Sequence, residues 1–320
     1  MLTNYLYFLV NDQYKKLLKD EIKLKYPHFK ICYSKNGLLT YKVDDIDVDI
    51  IFAHAYGNSI GMSNKSELTA KISSVRKKFS NKNVILNFHN CNDQDLQEQQ
   101  DPQESALVLD VIKIDDDHFF LGIHPFGKYR TILNYHQSES KSESNPLPSR
   151  AYYKIKEALA LSGEKINKKE CVLDIGAAPG GISYFFLQHK LNVVAVDAAE
   201  MSPLCTSHKN FTHIALPLEK ITDNHLSKYS FNWIVIDINL DPLYVVSTLK
   251  KLFNNEHCTN KPTNKLRGLF FTVKLTKNFT HSKIPTLLKN LTKLKLKLKI
   301  IYTRQLPSNK SEFMLYAIPI

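Results

Sequence analysis

Several classes of protein are closed to this sequence by what it has little of. Among 320 residues there are five cysteines, Cys32, Cys91, Cys171, Cys205 and Cys258. They are odd in number, widely spaced and free of any C-x-x-C pair, which argues against a disulfide framework and against a metal site, and points to a reducing cytoplasm. No apolar run approaches the roughly 18 residues that a membrane-spanning helix needs. The apolar start Tyr5 to Val10 lacks a basic flank and a small-residue cleavage site, so neither secretion nor a membrane partner is expected. Acidic residues are scarce at one end. Residues 250–320 carry 15 basic and 2 acidic side chains, against 18 and 19 over residues 1–146 and 10 and 10 over residues 147–249. The net charge of +12 therefore sits in the last stretch and makes a polyanion worth testing as partner. With 43% apolar and 23% charged residues the chain is not disordered, and its length suggests two domains.

The most linker-like stretch is 136–148 (HQSESKSESNPLP), rich in Ser and Glu with two prolines. It divides the chain into regions 1–135 and 149–320. In the first, YLYFLV, KKLLKDEIKLKY, FKICYS, a Lys35-Asn36-Gly37 turn and LLTYKV read as strand, helix, strand, hairpin and strand, suggesting an α+β ferredoxin-like unit. Asn64 with Glu67 resembles a capping box opening a helix to about Lys82, followed by strands VILNFHN, ALVLDVIKI and FFLGIHP, with a polar loop 91–104 between two of them. After the linker, short β-branched runs alternate with helical ones. That pattern predicts an α/β fold, a mostly parallel Rossmann-like sheet closed by an antiparallel terminal hairpin. Ligands of such sheets bind at the carboxyl ends of the strands. The residues to examine are those after Leu173, Val196, Ile236 and Val273.

Strand VLDI runs from Asp174 into Gly176-Ala177-Ala178-Pro179-Gly180-Gly181 and a helix, which brings a ligand against bare backbone and a helix N-terminus. A dinucleotide site wants glycine where Ala178 stands, and no Lys-Ser/Thr follows as a P-loop requires. The next strand ends in Asp197, where a carboxylate can accept hydrogen bonds from ribose hydroxyls. Adenosine without a pyrophosphate fits this combination, and S-adenosyl-L-methionine is the cofactor expected. The bland alternative is a strand-to-helix turn followed by a solvated Asp.

Ser149-Arg150-Ala151-x-x-Lys154, Asp174 to Gly181, Asp237, Thr272-Val273-Lys274-Leu275 and Arg304-Gln-Leu-x-x-Asn309-Lys-Ser-Glu312 together resemble the FtsJ-type RNA ribose 2′-O-methyltransferases. The pattern is most similar to the family of the ribosomal RNA large subunit methyltransferase M. The match covers residues 147–320, and Leu109-Asp110-Val111 with Gly122-Ile123-His124 extends it weakly upstream. The resemblance implies a catalytic tetrad of Lys154, Asp237, Lys274 and Glu312, with Asp237 also at the cofactor site. It further implies an amino-terminal THUMP-like RNA-binding region and a cytidine of large-subunit (23S) ribosomal RNA as target. RNA, not DNA, is then the partner, and the oligomeric state is left open. In that family an acidic residue usually follows the third strand to meet adenine, whereas Ala215-Leu216-Pro217-Leu218 offers none before Glu219.

The chemistry suits these residue types. A ribose hydroxyl must be aligned with the methyl donor and lose its proton. A lysine beside a second lysine and partly desolvated can lose its own proton near neutral pH, which makes Lys274 the candidate base. Lys154 would lower its pKa and hold ribose or phosphate, while Asp237 and Glu312 orient the ammonium groups and, as two acids opposing two bases, limit how far that pKa can fall. Taken singly, each residue has a plainer reading: a solvated helix face, a turn carboxylate, a snorkelling lysine, a hairpin surface charge. Two rival functions stay open: 2′-O-methylation of another RNA, such as tRNA or a cap, and a non-catalytic RNA-binding protein retaining the fold. The basic segment 250–320 is expected to attract phosphate around the catalytic face. Its Leu-Lys run 291–299 reads equally as a lysine comb along phosphate or as the exposed end of a helix passing into a strand. Trp233 reads as core. His124 reads as structural, with RNA contact as the alternative.

Overall fold

A computed structural model of the chain describes residues 4–44, 48–90, 106–126, 147–253, 265–306, 308–309 and 311–320. It divides into two compact units, Met1–Glu143 and Ser144–Ile320. Most of the expected linker 136–148, the loop 91–104, Cys91 and Cys258 lie outside the described residues.

The amino-terminal unit runs β1 (Tyr5–Leu9), α1 (Lys15–Lys25), β2 (Lys30–Lys35), β3 (Leu38–Lys42), β4 (Ala55–Asn64), α2 (Leu68–Lys78), β5 (Val84–His89), β6 (Leu107–Lys113) and β7 (His118–Pro125). Its seven strands form one sheet in the order β2-β3-β1-β4-β7-β6-β5. All pairs are antiparallel except β5 with β6. Asn36 and Gly37, both at positive φ, make the expected tight turn between β2 and β3. Three features depart from expectation. Strand β4 (AYGNSIGMSN) has no apolar alternation to announce it. Among the described residues no helix joins β3 to β4, so the second helix of a ferredoxin-like unit is absent. The Asn64 side chain makes no capping bond; the chain enters a 3₁₀ turn, Lys65–Glu67, and the Lys65 N–H is taken by the Asp117 carbonyl, so α2 begins later, at Leu68, and ends at Lys78. Leu68 and Val75 of α2 cover one face of this sheet, packing on Leu109, Val111, Leu121 and Ile123.

His124 is buried in this unit with Asp110. Asp110 accepts from Asn87 Nδ2 at 2.8 Å and from the Tyr7 hydroxyl, lies 2.8 Å from His89 Nε2 and 3.3 Å from His124 Nε2. Burial pushes the Asp110 carboxyl up, but the two imidazoles outweigh it and hold it well below the usual carboxylate range. This network is the structural role expected of His124.

The second unit runs α3 (Ala151–Ser162), β8 (Cys171–Ile175), α4 (Gly181–Gln188), β9 (Asn192–Val196), α5 (Pro203–Thr206), β10 (Phe211–Ile214), α6 (Asp223–Leu226), β11 (Trp233–Ile236), α7 (Pro242–Phe253), β12 (Gly268–Lys274), α8 (Ile284–Thr292), β13 (Leu298–Arg304) and β14 (Glu312–Pro319). The sheet order is β10-β9-β8-β11-β12-β14-β13, parallel except for β14, which runs antiparallel between β12 and β13. Strands β8, β9, β11 and β12 are apolar on both faces because helices cover both, which is why they read as continuous Val/Ile/Leu/Phe runs. Trp233 is fully buried, with Arg267 stacked 4.9 Å from its ring and its Nε1 donating to Glu170 at 2.8 Å. The strand order reverses at β8 and β11, so the crevice for a ligand opens at their carboxyl ends.

Candidate active site

Four strand ends deliver the expected residues to that crevice. Asp174 lies in β8, Asp197 follows β9, Asp237 follows β11, and Lys274 closes β12 directly opposite Glu312, the first residue of β14. Lys154 comes from the first turns of α3. That helix is brought close because the loop after β8 ends in Gly181: a Cβ there would stand 2.3 Å from Ser149 Oγ and 2.8 Å from the Ser149 carbonyl. Tyr152 fixes the helix further, donating to Gln188 of α4 at 3.0 Å.

The four charged groups close into a ring. Lys154 Nζ lies 2.9 Å from Asp237 Oδ2 and 2.6 Å from Glu312 Oε1. Lys274 Nζ lies 2.5 Å from Asp237 Oδ1 and 2.6 Å from Glu312 Oε2. Each carboxylate bridges both ammonium groups, and all four side chains are at least four-fifths buried. Isolated solvated charges, the plain reading of each residue, do not make such an arrangement. Burial disfavours the Lys274 ammonium, but the charges of Asp237 and Glu312 outweigh it and hold its pKa above the ordinary lysine value. Burial likewise disfavours the Glu312 carboxylate, and Lys154 and Lys274 outweigh it, so its pKa is lowered. The expectation that Lys154 depresses Lys274 toward neutrality is therefore corrected: with two carboxylates at contact distance, attraction exceeds the repulsion of the second lysine.

A residue the sequence reading passed over ties the ring together. Glu157, one turn beyond Lys154 and buried, accepts from the Ser308 N–H at 3.0 Å and from Ser308 Oγ at 2.6 Å. The next residue, Asn309, accepts from the Leu306 N–H at 2.9 Å and donates to Glu312 Oε1 at 3.3 Å. Glu157 thereby fixes α3, which carries Lys154, against the loop that leads into Glu312. Its three-residue offset from Lys154 was the available signal, since positions i and i+3 share a helix face.

Beside the ring lies the glycine loop. Gly176 and Ala177 donate N–H groups to the Val196 carbonyl at 2.9 and 3.4 Å, and the Pro179 carbonyl accepts from Ser202 at 2.9 Å. Asp197 holds the loop by its carboxylate, accepting from the Ala178 N–H at 3.0 Å and the Ala199 N–H at 2.9 Å. Gly180, at φ +120°, caps α4; a Cβ there would meet Cys205 Sγ at 2.5 Å. Asp174 is fully buried and accepts from Ser183 Oγ at 2.6 Å through Oδ2, while Oδ1 has no hydrogen-bond partner among the described residues. Burial pushes its carboxyl up to about 7, the Ser183 bond opposes this, and the charges of Asp237 and Asp197 add to the rise. Three carboxylates within electrostatic reach of one another, one with an unsatisfied oxygen, and no basic side chain in 174–181 suit a cationic ligand and not a phosphate. These residues fit S-adenosylmethionine, whose sulfonium and amino groups are both positive. Among the described residues no cluster could hold a metal ion.

Residues 147–315, more than half of the chain, match the family of FtsJ-like methyltransferases. The chain belongs to the FtsJ-like methyltransferases. Its cofactor is accordingly S-adenosyl-L-methionine. No curated protein sequence matches it. Among solved structures, the FtsJ-like chain is similar to a putative hemolysin of Lactococcus lactis (17% identity over 54% of this chain and 88% of that one, TM-score 0.41). It is also similar to a putative ribosomal RNA methyltransferase of Plasmodium falciparum (18% identity, 54% and 97%, TM-score 0.34) and to Aeropyrum pernix fibrillarin bound to S-adenosyl-L-methionine (12%, 65% and 81%, TM-score 0.34). Likenesses at these scores add nothing to the family assignment.

The Leu-Lys run of this FtsJ-like methyltransferase joins the end of α8 to β13 with its lysines exposed, as the plainer of its two readings has it, and it does not lie on the face around which 250–320 was expected to attract phosphate. Strand β13 runs parallel to β12, since both oppose β14, so residues 291–299 sit at the amino end of the sheet and not on the catalytic face. After β10, Leu218 is buried and Glu219 follows it in a 3₁₀ turn; the loop 215–218 presents no carboxylate. No described helix is long and apolar enough to cross a membrane.

Proposed function

We propose that this FtsJ-like methyltransferase is an RNA ribose 2′-O-methyltransferase in which Lys154, Asp237, Lys274 and Glu312 are the catalytic residues. The observation carrying the proposal is the closed Lys-Asp-Lys-Glu ring beside the glycine loop, because removing a proton from a hydroxyl is the task such a ring can serve. S-adenosylmethionine supplies an electrophilic methyl group on a sulfonium. The chain must hold a ribose hydroxyl in line with it and take up the hydroxyl proton. Lys274 Nζ is the acceptor. Because Asp237 and Glu312 keep it protonated in the free protein, only a small fraction is competent at neutral pH, and that fraction grows tenfold for each pH unit. Lys154, at the opposite corner, balances both carboxylates and donates to ribose or phosphate of the substrate.

The amino-terminal unit, as a THUMP-like region, selects the RNA. Large-subunit ribosomal RNA, modified at a cytidine in the cytoplasm, is the substrate that the resemblance favours over tRNA or a cap. Cys32, Cys171 and Cys205 are free, which agrees with a reducing compartment. The test is Lys274→Ala with saturating RNA. Methyl transfer should fall about 10²- to 10⁴-fold while calorimetric affinity for S-adenosylmethionine stays within a few-fold of the parent. Wild-type turnover by the variant would remove Lys274 from the role of base.

A further inference from the structure

The two ends of the catalytic sheet differ in charge. The carboxyl ends of the strands carry Asp174, Asp197 and Asp237, and Glu312 joins them because β14 runs backwards. At the other end lies the amino terminus of β13, seven residues and therefore roughly 20 Å from its catalytic end. Lysines gather there. In the run 291–299, Leu291, Leu294, Leu296 and Leu298 are buried, while Lys293, Lys295, Lys297 and Lys299 are exposed. Lys289 extends the face along α8, and Lys250 and Lys251 extend it along α7, which packs against α8.

Lysines at helix carboxyl ends complement the helix dipole, and lysines on an edge strand such as β13 discourage sheet-to-sheet pairing. Neither reason explains why the segment itself lacks carboxylates; Glu164 and Glu170, which also lie at this end of the sheet, are engaged by Arg267. Residues 265–311 contain no Asp or Glu, whereas a surface built for solubility intersperses both signs. All four leucines of the run face inward, so an anionic membrane would be held by charge alone, without the apolar insertion that stable anchoring needs, and RNA phosphate is the better match.

We propose that this lysine face is a second RNA-backbone contact, at the pole opposite the ring of catalytic charges. It grips phosphates flanking the target while the reacting ribose lies at Lys274. The inference rests on the RNA-methyltransferase reading above and adds a requirement to it: a substrate must be long enough to reach both poles. Phosphate gripping of this kind carries no base preference.

The test uses the full chain with Lys289→Gln, Lys293→Gln, Lys295→Gln and Lys299→Gln combined; Lys297 is kept because its positive φ shapes the turn. Affinity for a long ribosomal RNA fragment should fall about 10-fold or more at roughly 0.15 M salt, and the slope of log K against log salt should become shallower by about 3, as expected for four lost phosphate contacts. S-adenosylmethionine affinity and methylation of a short oligonucleotide carrying the target should not change. An unchanged salt slope in a variant whose parent binds and methylates RNA overturns this inference alone. A parent chain that neither binds nor methylates RNA overturns it together with the functional reading beneath it. Loss of binding to phosphatidylserine vesicles with RNA affinity intact also overturns it, in favour of a membrane surface.

Discussion

Replacing Glu312 by Gln keeps the side chain's shape and removes its charge from the ring. Glu312 makes two contacts of 2.6 Å, one to each ammonium. In Glu312→Gln only the amide oxygen can accept, so one contact is weakened and the other is lost where the amide nitrogen meets an ammonium donor to donor. With about 1.5–3 kcal/mol for a hydrogen bond to a charged group and about 1 kcal/mol for a neutral one, the cost is roughly 2–5 kcal/mol. Removing one member of a buried ion pair costs about 3–5 kcal/mol, but Asp237 remains to hold both lysines, which places the expectation near 3 kcal/mol. Urea denaturation followed by Trp233 emission reports on the right part of the molecule, because Trp233 is the only tryptophan and is buried in β11. Glu312 has a lowered pKa in the folded chain, so its contribution is complete above the unfolded glutamate value of about 4.3 and is lost as pH falls through the lower folded one. Lys274 has a raised pKa, so its share is complete below the unfolded lysine value of about 10.4 and is lost as pH rises through the higher folded one. The difference between parent and Gln variant should therefore be level from about pH 5 to 10 and shrink on either side. A difference under about 1 kcal/mol at pH 8, or one indifferent to pH below 4, would refute the charged ring.

Further outcomes follow from the same geometry. With Lys274 held protonated, log kcat at saturating S-adenosylmethionine and RNA should climb with unit slope from pH 6 to 9 without levelling; a plateau near neutrality in a pH–rate profile would mean a depressed lysine instead. Asp174 at about 7 must ionise to meet a cation, so S-adenosylmethionine should bind more tightly as pH rises from 6 to 8 and release protons on binding, which calorimetry in buffers of differing ionisation enthalpy measures. Asp197→Ala should weaken that binding by about 1.5–3 kcal/mol, as loss of a charged hydrogen-bond partner does, and unchanged affinity would remove Asp197 from the cofactor site. Glu157→Ala should lower kcat about tenfold or more by loosening Lys154 from Glu312, with cofactor affinity preserved; an unchanged kcat would show that the Ser308 contacts do not position the ring.

The catalytic unit was legible because parallel strands covered on both faces announce themselves as apolar runs, and because strand ends of such a sheet converge wherever its order reverses. Asp174, Asp197, Asp237 and Lys274 could thus be named from where their runs stop. Strand β4 could not, since its Gly, Asn and Ser residues gain their strand conformation from pairing with β1 and β7 and not from their own preference. The Asn64 cap failed for a similar reason: a carbonyl 53 residues away, on Asp117, supplies the bond that fixes the chain there. The direction of the Lys274 shift depends on distances of 2.5 and 2.6 Å that no spacing in the sequence encodes. The location of the lysine run was hidden in topology, because insertion of β14 between β12 and β13 turns the amino end of β13 away from the site.

The most direct test of the functional account is transfer of a labelled methyl group from S-adenosylmethionine to ribosomal RNA lacking its modifications, followed by mapping of the labelled atom. The account predicts label on the ribose 2′-oxygen of one large-subunit nucleotide, a cytidine. Label on a base, or cofactor binding with no label on any RNA, would contradict it.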